Sequence, residues 1–126
     1  DLVCLCGYMR WLRVDADLVG RVVNIHPALL PEFGGSGMYG MHVHRAVLAS
    51  GAPMSGCTVH FVDEVYDHGP IILQRCCPTL PDDDEQALAA RVFEQECVAY
   101  PEAIKLFADG RIKLRGNEVQ ILPSLG

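Results

Sequence analysis

Residues 21–27 read Arg21-Val22-Val23-Asn24-Ile25-His26-Pro27, a short apolar run that closes on a carboxamide, an imidazole and a proline. Read as a strand, Val23 and Ile25 turn to one face. Asn24 and His26 project from the other, roughly 6–7 Å apart along the chain. Pro27 withdraws the next ladder donor and holds His26 extended, so the strand is expected to stop there. In α/β sheets, ligands collect just beyond the carboxyl ends of strands, and the polar pair sits at such an end. Two polar side chains on one face of an apolar strand need either partners within the fold or a task. An Asn N–H and an imidazole N–H aimed at one point can both donate to the tetrahedral oxyanion of an acyl transfer.

Outward from this strand the chain alternates strands with helices. Leu2 to Cys6 reads as a buried, parallel-type strand, and Met9 to Gly20 holds a short helix that stops at Gly20. Pro27 to Gly40 is a loop too long for a mere connection. Met41 to Ser50 carries Val43, Ala46, Val47 and Ser50 at helical spacing, with Gly51 as its stop. Cys57–Val62 and Ile71–Cys77 read as strands, with an acidic loop, Asp63–Pro70, between them. Asp82-Asp83-Asp84-Glu85 places negative charge where a helix dipole favours it, opening a long helix to about Ala108 that ends at Gly110. Ile112–Leu114 and Val119–Leu122 form a hairpin around Gly116-Asn117. The expectation is an α/β fold with a mostly parallel, mixed sheet flanked by helices. Four strand candidates and a small hairpin are few for a doubly wound domain, and the chain enters a strand directly after Asp1. Residues 1–126 are therefore read as a single portion of a domain whose N-terminal half lies outside this chain.

The chain has 126 residues, half of them apolar, and a net charge of −6 from 10 basic and 16 acidic residues. An acidic balance of this size argues against a nucleic-acid partner. No apolar run approaches the roughly 20 residues of a membrane helix. Six cysteines, none in a Cys-x-x-Cys pair, read as small core thiols of a reducing compartment, the cytoplasm or an organelle. Cys4, Cys6, Cys57 and Cys76 fall in runs that look like buried strands. Nothing in the residues specifies an oligomeric state.

Three further features bear on chemistry. Asp67, in Val65-Tyr66-Asp67-His68-Gly69-Pro70, is by itself a turn residue. Beside His26 its carboxylate would fix the imidazole tautomer, favour the protonated ring and accept a proton from an attacking amine. At about 100° per residue, the apolar stripe of the long helix passes through Ala89, Val92, Tyr100, Ala103 and Phe107, and Glu96 falls within it. A carboxylate there needs a partner, either a structural cation or a ligand amine or hydroxyl. The Gly34–Gly40 run lacks the Gly-Lys and the strand–loop–helix context of a phosphate loop and reads as an active-site loop. His42 and His44, two apart on a helix, face different ways and lack a third ligand, so no metal is expected.

Asn24-Ile25-His26-Pro27-Ala28-Leu29-Leu30-Pro31, Ser55-Gly56-Cys57-Thr58-Val59-His60-Phe61-Val62 and Asp67-His68-Gly69-Pro70-Ile71-Ile72-Leu73-Gln74 follow in an order and separation that resembles the folate-dependent formyltransferases. The likeness runs from Leu2 to about Leu114. It implies a formyltransferase-like fold, 10-formyltetrahydrofolate as one-carbon cosubstrate and no metal. The acceptor it implies is the amine of glycinamide ribonucleotide, in de novo purine biosynthesis. It further implies Asn24, His26 and Asp67 as the catalytic set. Met9, Arg10 and Leu12 would lie beside the folate pterin, with Val62, Asp63, Glu64 and Val65 closing on it. Pro27 and Glu96 would meet the glycinamide substrate.

The chain departs from the family at several points. Phe33–Gly40 is longer than in the shorter members, and Cys97 stands where His is common. The strand and Gly-Ser-Gly loop that hold the substrate phosphate are not among these residues, so transfer by this chain alone is expected to be weak or absent. A deformylase passing the formyl group to water would use the same three residues but typically carries a second His where Pro27-Ala28 stand. A methionyl-tRNA formyltransferase is opposed by the acidic charge and by the lack of Arg-Gly-Ala after Leu30-Pro31. An inert folate-binding fragment is the non-enzymatic alternative.

Overall fold

The computed structural model describes residues 2–6, 20–35, 38–62, 69–116 and 118–123. The strands β1 (Val3–Cys6), β2 (Val22–His26), β3 (Met54–Phe61) and β4 (Ile71–Pro78) form one sheet in the order β1-β2-β3-β4. Between them and after them lie α1 (Met41–Ser50) and α2 (Glu85–Ala108), followed by a hairpin of β5 (Ile112–Arg115) and β6 (Glu118–Ile121). The expected helix at Met9–Gly20 lies outside the described residues.

The sheet is mixed, as expected, but its parallel share is smaller than the sequence led us to expect. β1 pairs with β2 in parallel, whereas β2 with β3 and β3 with β4 are antiparallel. The short link from Phe61 to Ile71 permits only a hairpin, since a parallel crossover needs a dozen residues or more. β3 begins at Met54, three residues before the alternating pattern starts. Gly56 allows that extension: a Cβ there would lie 2.0 Å from the Arg75 carbonyl oxygen. A register shift at Val59/His60 inserts Ile72 as an unpaired residue of β4.

The core lies on the sheet face that carries Val23, Ile25, Cys57, Val59 and Phe61, joined by Leu88, Val92, Ala99, Tyr100 and Ala103 of α2 and Val43 and Val47 of α1. The α2 stripe thus enters through Leu88 and includes Ala99, one position from the phase expected for Ala89. Asp84 caps α2, its carboxylate accepting from Ala87 N at 2.7 Å. The helix continues through Pro101. The Tyr100 hydroxyl donates to Leu5 O at 2.6 Å and approaches Val23 O at 3.2 Å, fastening α2 across β1 and β2. Arg45 pairs with Glu85 to tie α1 to the start of α2.

The thiols differ from expectation. Cys57 is buried, but Cys4 and Cys76 are exposed and Cys77 takes the inward place. β1 is an edge strand of the described sheet, which exposes Cys4. Cys77 pairs with Ser55, and this register turns it toward α2 and Cys76 away. No disulfide joins the described cysteines.

Candidate active site

β2 ends at His26 as expected, with Val23 and Ile25 in the core and Asn24 and His26 alternating with them on the opposite face. The antiparallel register sets His60 opposite Asn24 and Thr58 opposite His26. Directly opposed residues share a face with Cβ atoms about 5 Å apart, so four polar side chains gather at the carboxyl end of β2. Thr58 and His60 were legible only as the polar half of an alternating strand; the pairing that brings them to Asn24 and His26 was not.

His26 is 4% exposed, and its Nε2 lies 2.5 Å from the carbonyl oxygen of Phe33, seven residues later. A carbonyl only accepts, so Nε2 carries the proton. In the neutral ring Nδ1 is then the nitrogen without a hydrogen. The Asn24 Oδ1 is buried and has no hydrogen-bond partner among the described residues. An orphaned carboxamide oxygen beside a buried imidazole is an open acceptor for an incoming N–H.

The segment after His26 is anchored by side chains of the neighbouring strands. Thr58 Oγ1 donates to Ala28 O at 2.8 Å and accepts from Leu30 N at 3.2 Å. Gln74 Nε2 donates to Leu30 O at 3.1 Å and to Thr58 Oγ1 at 3.0 Å. Pro27, expected to meet substrate, is half-buried within this anchored stretch. The Leu30–Pro31 peptide bond is cis.

Glu96 is half-buried in the apolar stripe of α2, as the helical spacing predicted, and burial pushes its carboxyl above the ordinary value. Its charge helps raise the Cys57 thiol to about 11, an effect led by burial of the sulfur. Cys57, which the Glu96 charge reaches, is one residue from Thr58, the register partner of His26.

The two α1 histidines part company. His42 is exposed with its ring edge-on to Tyr39, centroids 5.3 Å apart. His44 is 4% exposed, and its Nδ1 has no hydrogen-bond partner among the described residues. Burial lowers its basicity first, and the charge of nearby His26 adds to this. The sequence offers His44 only as a metal ligand; its place near His26 follows from tertiary packing of α1.

Val62, expected at the folate, follows β3, and its N–H donates to Val22 O at 2.8 Å. Asp67, Met9, Arg10, Leu12, Asp63, Glu64 and Val65 lie outside the described residues.

Comparison with known proteins identifies the family and the fold. A family model described as formyl transferase matches residues 1–104. A phosphoribosylglycinamide formyltransferase of chloroplasts from Vigna unguiculata is 46% identical over 126 residues, 98% of this chain and 40% of that protein. The phosphoribosylglycinamide formyltransferase of Escherichia coli is 43% identical over 119 residues, 93% of this chain and 54% of that protein. The crystal structure of glycinamide ribonucleotide transformylase 1 from Symbiobacterium toebii superposes with a TM-score of 0.87 at 46% identity, covering 98% of this chain and 57% of that one. The chain thus spans about half the length of the relatives it matches. With its polar strand end, its mixed sheet and a family match over most of its length, the chain belongs to the formyl transferase family.

Proposed function

We propose that the protein carrying this chain transfers a formyl group from 10-formyltetrahydrofolate to the primary amine of glycinamide ribonucleotide, and that residues 1–126 form the folate-binding and catalytic portion. The observation that carries the reading is the Asn24–His26 pair, with a buried carboxamide whose Oδ1 is open among the described residues. Amine attack on the formyl carbon creates an oxyanion and puts positive charge on the attacking nitrogen. Asn24 Nδ2 and, in the protonated ring, the His26 Nδ1–H donate to the oxyanion, while Nε2–H stays on the Phe33 carbonyl, and Asn24 Oδ1 accepts from the amine. Asp67 supports the His26 ring and takes a proton on its way from the amine to the leaving folate nitrogen. Met9, Arg10 and Leu12 hold the pterin, with Val62, Asp63, Glu64 and Val65 across it. Pro27 and Glu96 orient the glycinamide substrate, which suits a carboxylate that burial has left poorly solvated.

The test follows formyl loss from 10-formyltetrahydrofolate with and without glycinamide ribonucleotide, alongside titration of the chain with a non-reactive folate analogue. Saturable analogue binding and acceptor-dependent formyl loss support the reading. Formate release indifferent to the acceptor indicates hydrolysis and overturns it, as does failure to bind the analogue.

A further inference from the structure

Thr58 is fully buried, and its hydroxyl is saturated. A threonine oxygen offers one proton and two lone pairs. Here the proton goes to Ala28 O and the lone pairs receive Leu30 N and Gln74 Nε2. The second Gln74 amide proton goes to Leu30 O. In register, Thr58 stands opposite His26 on β2 and opposite Gln74 on β4, so the three share one face across the sheet. Just past His26, where the ladder ends, the backbone at residues 28 and 30 is therefore held by two side chains. From that anchor the chain turns and returns Phe33 O to His26 Nε2 at 2.5 Å. His26 is fixed at its backbone by β3 and at its ring by a loop that Thr58 and Gln74 hold in place.

Packing alone gives no reason for this choice. At a site with no solvent exposure, a valine of the same shape fills the volume without a hydroxyl that must be satisfied. We propose that Thr58, acting with Gln74, is a positioning residue: by locking residues 28–30 it delivers the Phe33 carbonyl to His26 and so sets the orientation and tautomer of the imidazole. The consequence for rate rests on the formyl-transfer reading; the consequence for the ring does not.

The experiment compares the whole protein that carries this chain with its Thr58→Val, Thr58→Ser and Gln74→Met variants, each checked for folding by thermal melt. Long-range proton–nitrogen NMR reads the ring nitrogens of His26. The parent is expected to show the Nε2-protonated tautomer, Thr58→Val a mixture of tautomers, and Thr58→Ser the parent pattern. In a turnover assay Thr58→Val should lose roughly ten- to a hundredfold in kcat, as misplaced catalytic groups do, with folate KM within about twofold; Thr58→Ser should restore kcat. If Thr58→Val does not fold, Gln74→Met, which removes two donors but leaves the threonine bonds to the loop, carries the same expectation. A folded Thr58→Val, or in its place Gln74→Met, with the parent ring spectrum overturns the proposal, as do Ser and Val variants perturbed alike. A parent without formyl transfer whose tautomer still responds to Thr58→Val refutes the transfer reading and upholds the positioning one.

Discussion

The Nε2 of His26 lies 2.5 Å from the carbonyl oxygen of Phe33. That contact spans seven residues, bridges the strand end and the Gly-rich loop, and assigns the ring proton to Nε2. The loop is thus built into the geometry of the polar pair. On the formyl-transfer reading, His26→Ala in the active protein lowers kcat by roughly 10²- to 10³-fold, the cost of losing one oxyanion donor. The unfolding free energy should fall by no more than about 1–2 kcal/mol, for one partly buried hydrogen bond and its packing. Steady-state kinetics with chemical denaturation checks both. Near-parental turnover in a folded His26→Ala removes the residue from the mechanism.

Glu96 gives a pH-dependent prediction. Burial holds its carboxyl above the ordinary value of 4.5, so the folded chain keeps this proton to higher pH than the unfolded chain does. Its contribution to stability is greatest below the unfolded range and declines as pH rises from about 4.5 through the folded value. Glu96→Gln, which cannot ionise, should therefore gain in melting temperature relative to the parent at pH 7 and lose that advantage near pH 4. The same change should raise KM for the glycinamide substrate by roughly tenfold or more, the scale of a lost charged hydrogen bond. A parallel pair of melting curves across this range would contradict the burial argument.

Asp83 behaves in the opposite sense. Its carboxylate accepts from both Arg91 guanidinium nitrogens, at 2.6 and 2.9 Å, and from Leu80 N at 2.8 Å, before the cap of α2. Hydrogen bonding to Arg91, then to Leu80, lowers its carboxyl from 3.8 to about 2. The stabilisation is full above about 4 and is lost as pH falls toward 2. Asp83→Asn should be less stable than the parent at pH 7 and match it at pH 2, a difference that thermal melts across the acid limb will read.

Elements are legible in the sequence where periodicity and punctuation agree. Val22–His26 and Met41–Ser50 matched residue for residue because Pro27 and Gly51 end them on local steric grounds, Gly51 with φ of 73°. Glu96 was legible for a similar reason: 3.6-residue geometry puts it in the stripe through Leu88, Val92 and Tyr100 whatever the tertiary fold. What escaped were pairings across the chain. Thr58 meets residues 28 and 30 positions away, and Gln74 reaches Leu30 over 44. No local pattern encodes those distances, nor the register that buries Cys77 and exposes Cys76. The site was readable as residue types at a strand end. The clamp that orients it belongs to the sheet.

Buried and exposed thiols should separate cleanly in alkylation. Burial, then the Glu96 charge, raises Cys57 to about 11, and burial raises Cys77 as well. The thiolate is the nucleophile, so both should resist iodoacetamide at pH 7.5 while exposed Cys76 and Cys97 react. Mass spectrometry of peptides after a short pulse checks the order. Protection of Cys57 and Cys77 should vanish in denaturant.

Gly56 supplies the sharpest stability prediction. A Cβ at this position would sit 2.0 Å from Arg75 O and 2.9 Å from Leu29 Cδ2. The first clash is with the backbone of the paired strand and cannot be relieved by a rotamer change. The second pushes on the stretch that Thr58 holds after His26. Gly56→Ala should therefore destabilise the chain by about 3 kcal/mol or more, at the upper end of overpacking costs. It should also disturb the His26 ring resonances in whatever fraction stays folded. An unfolding free energy from denaturant titration within about 1 kcal/mol of the parent would mean that β3 and β4 can part at Gly56 far more cheaply than a paired ladder allows.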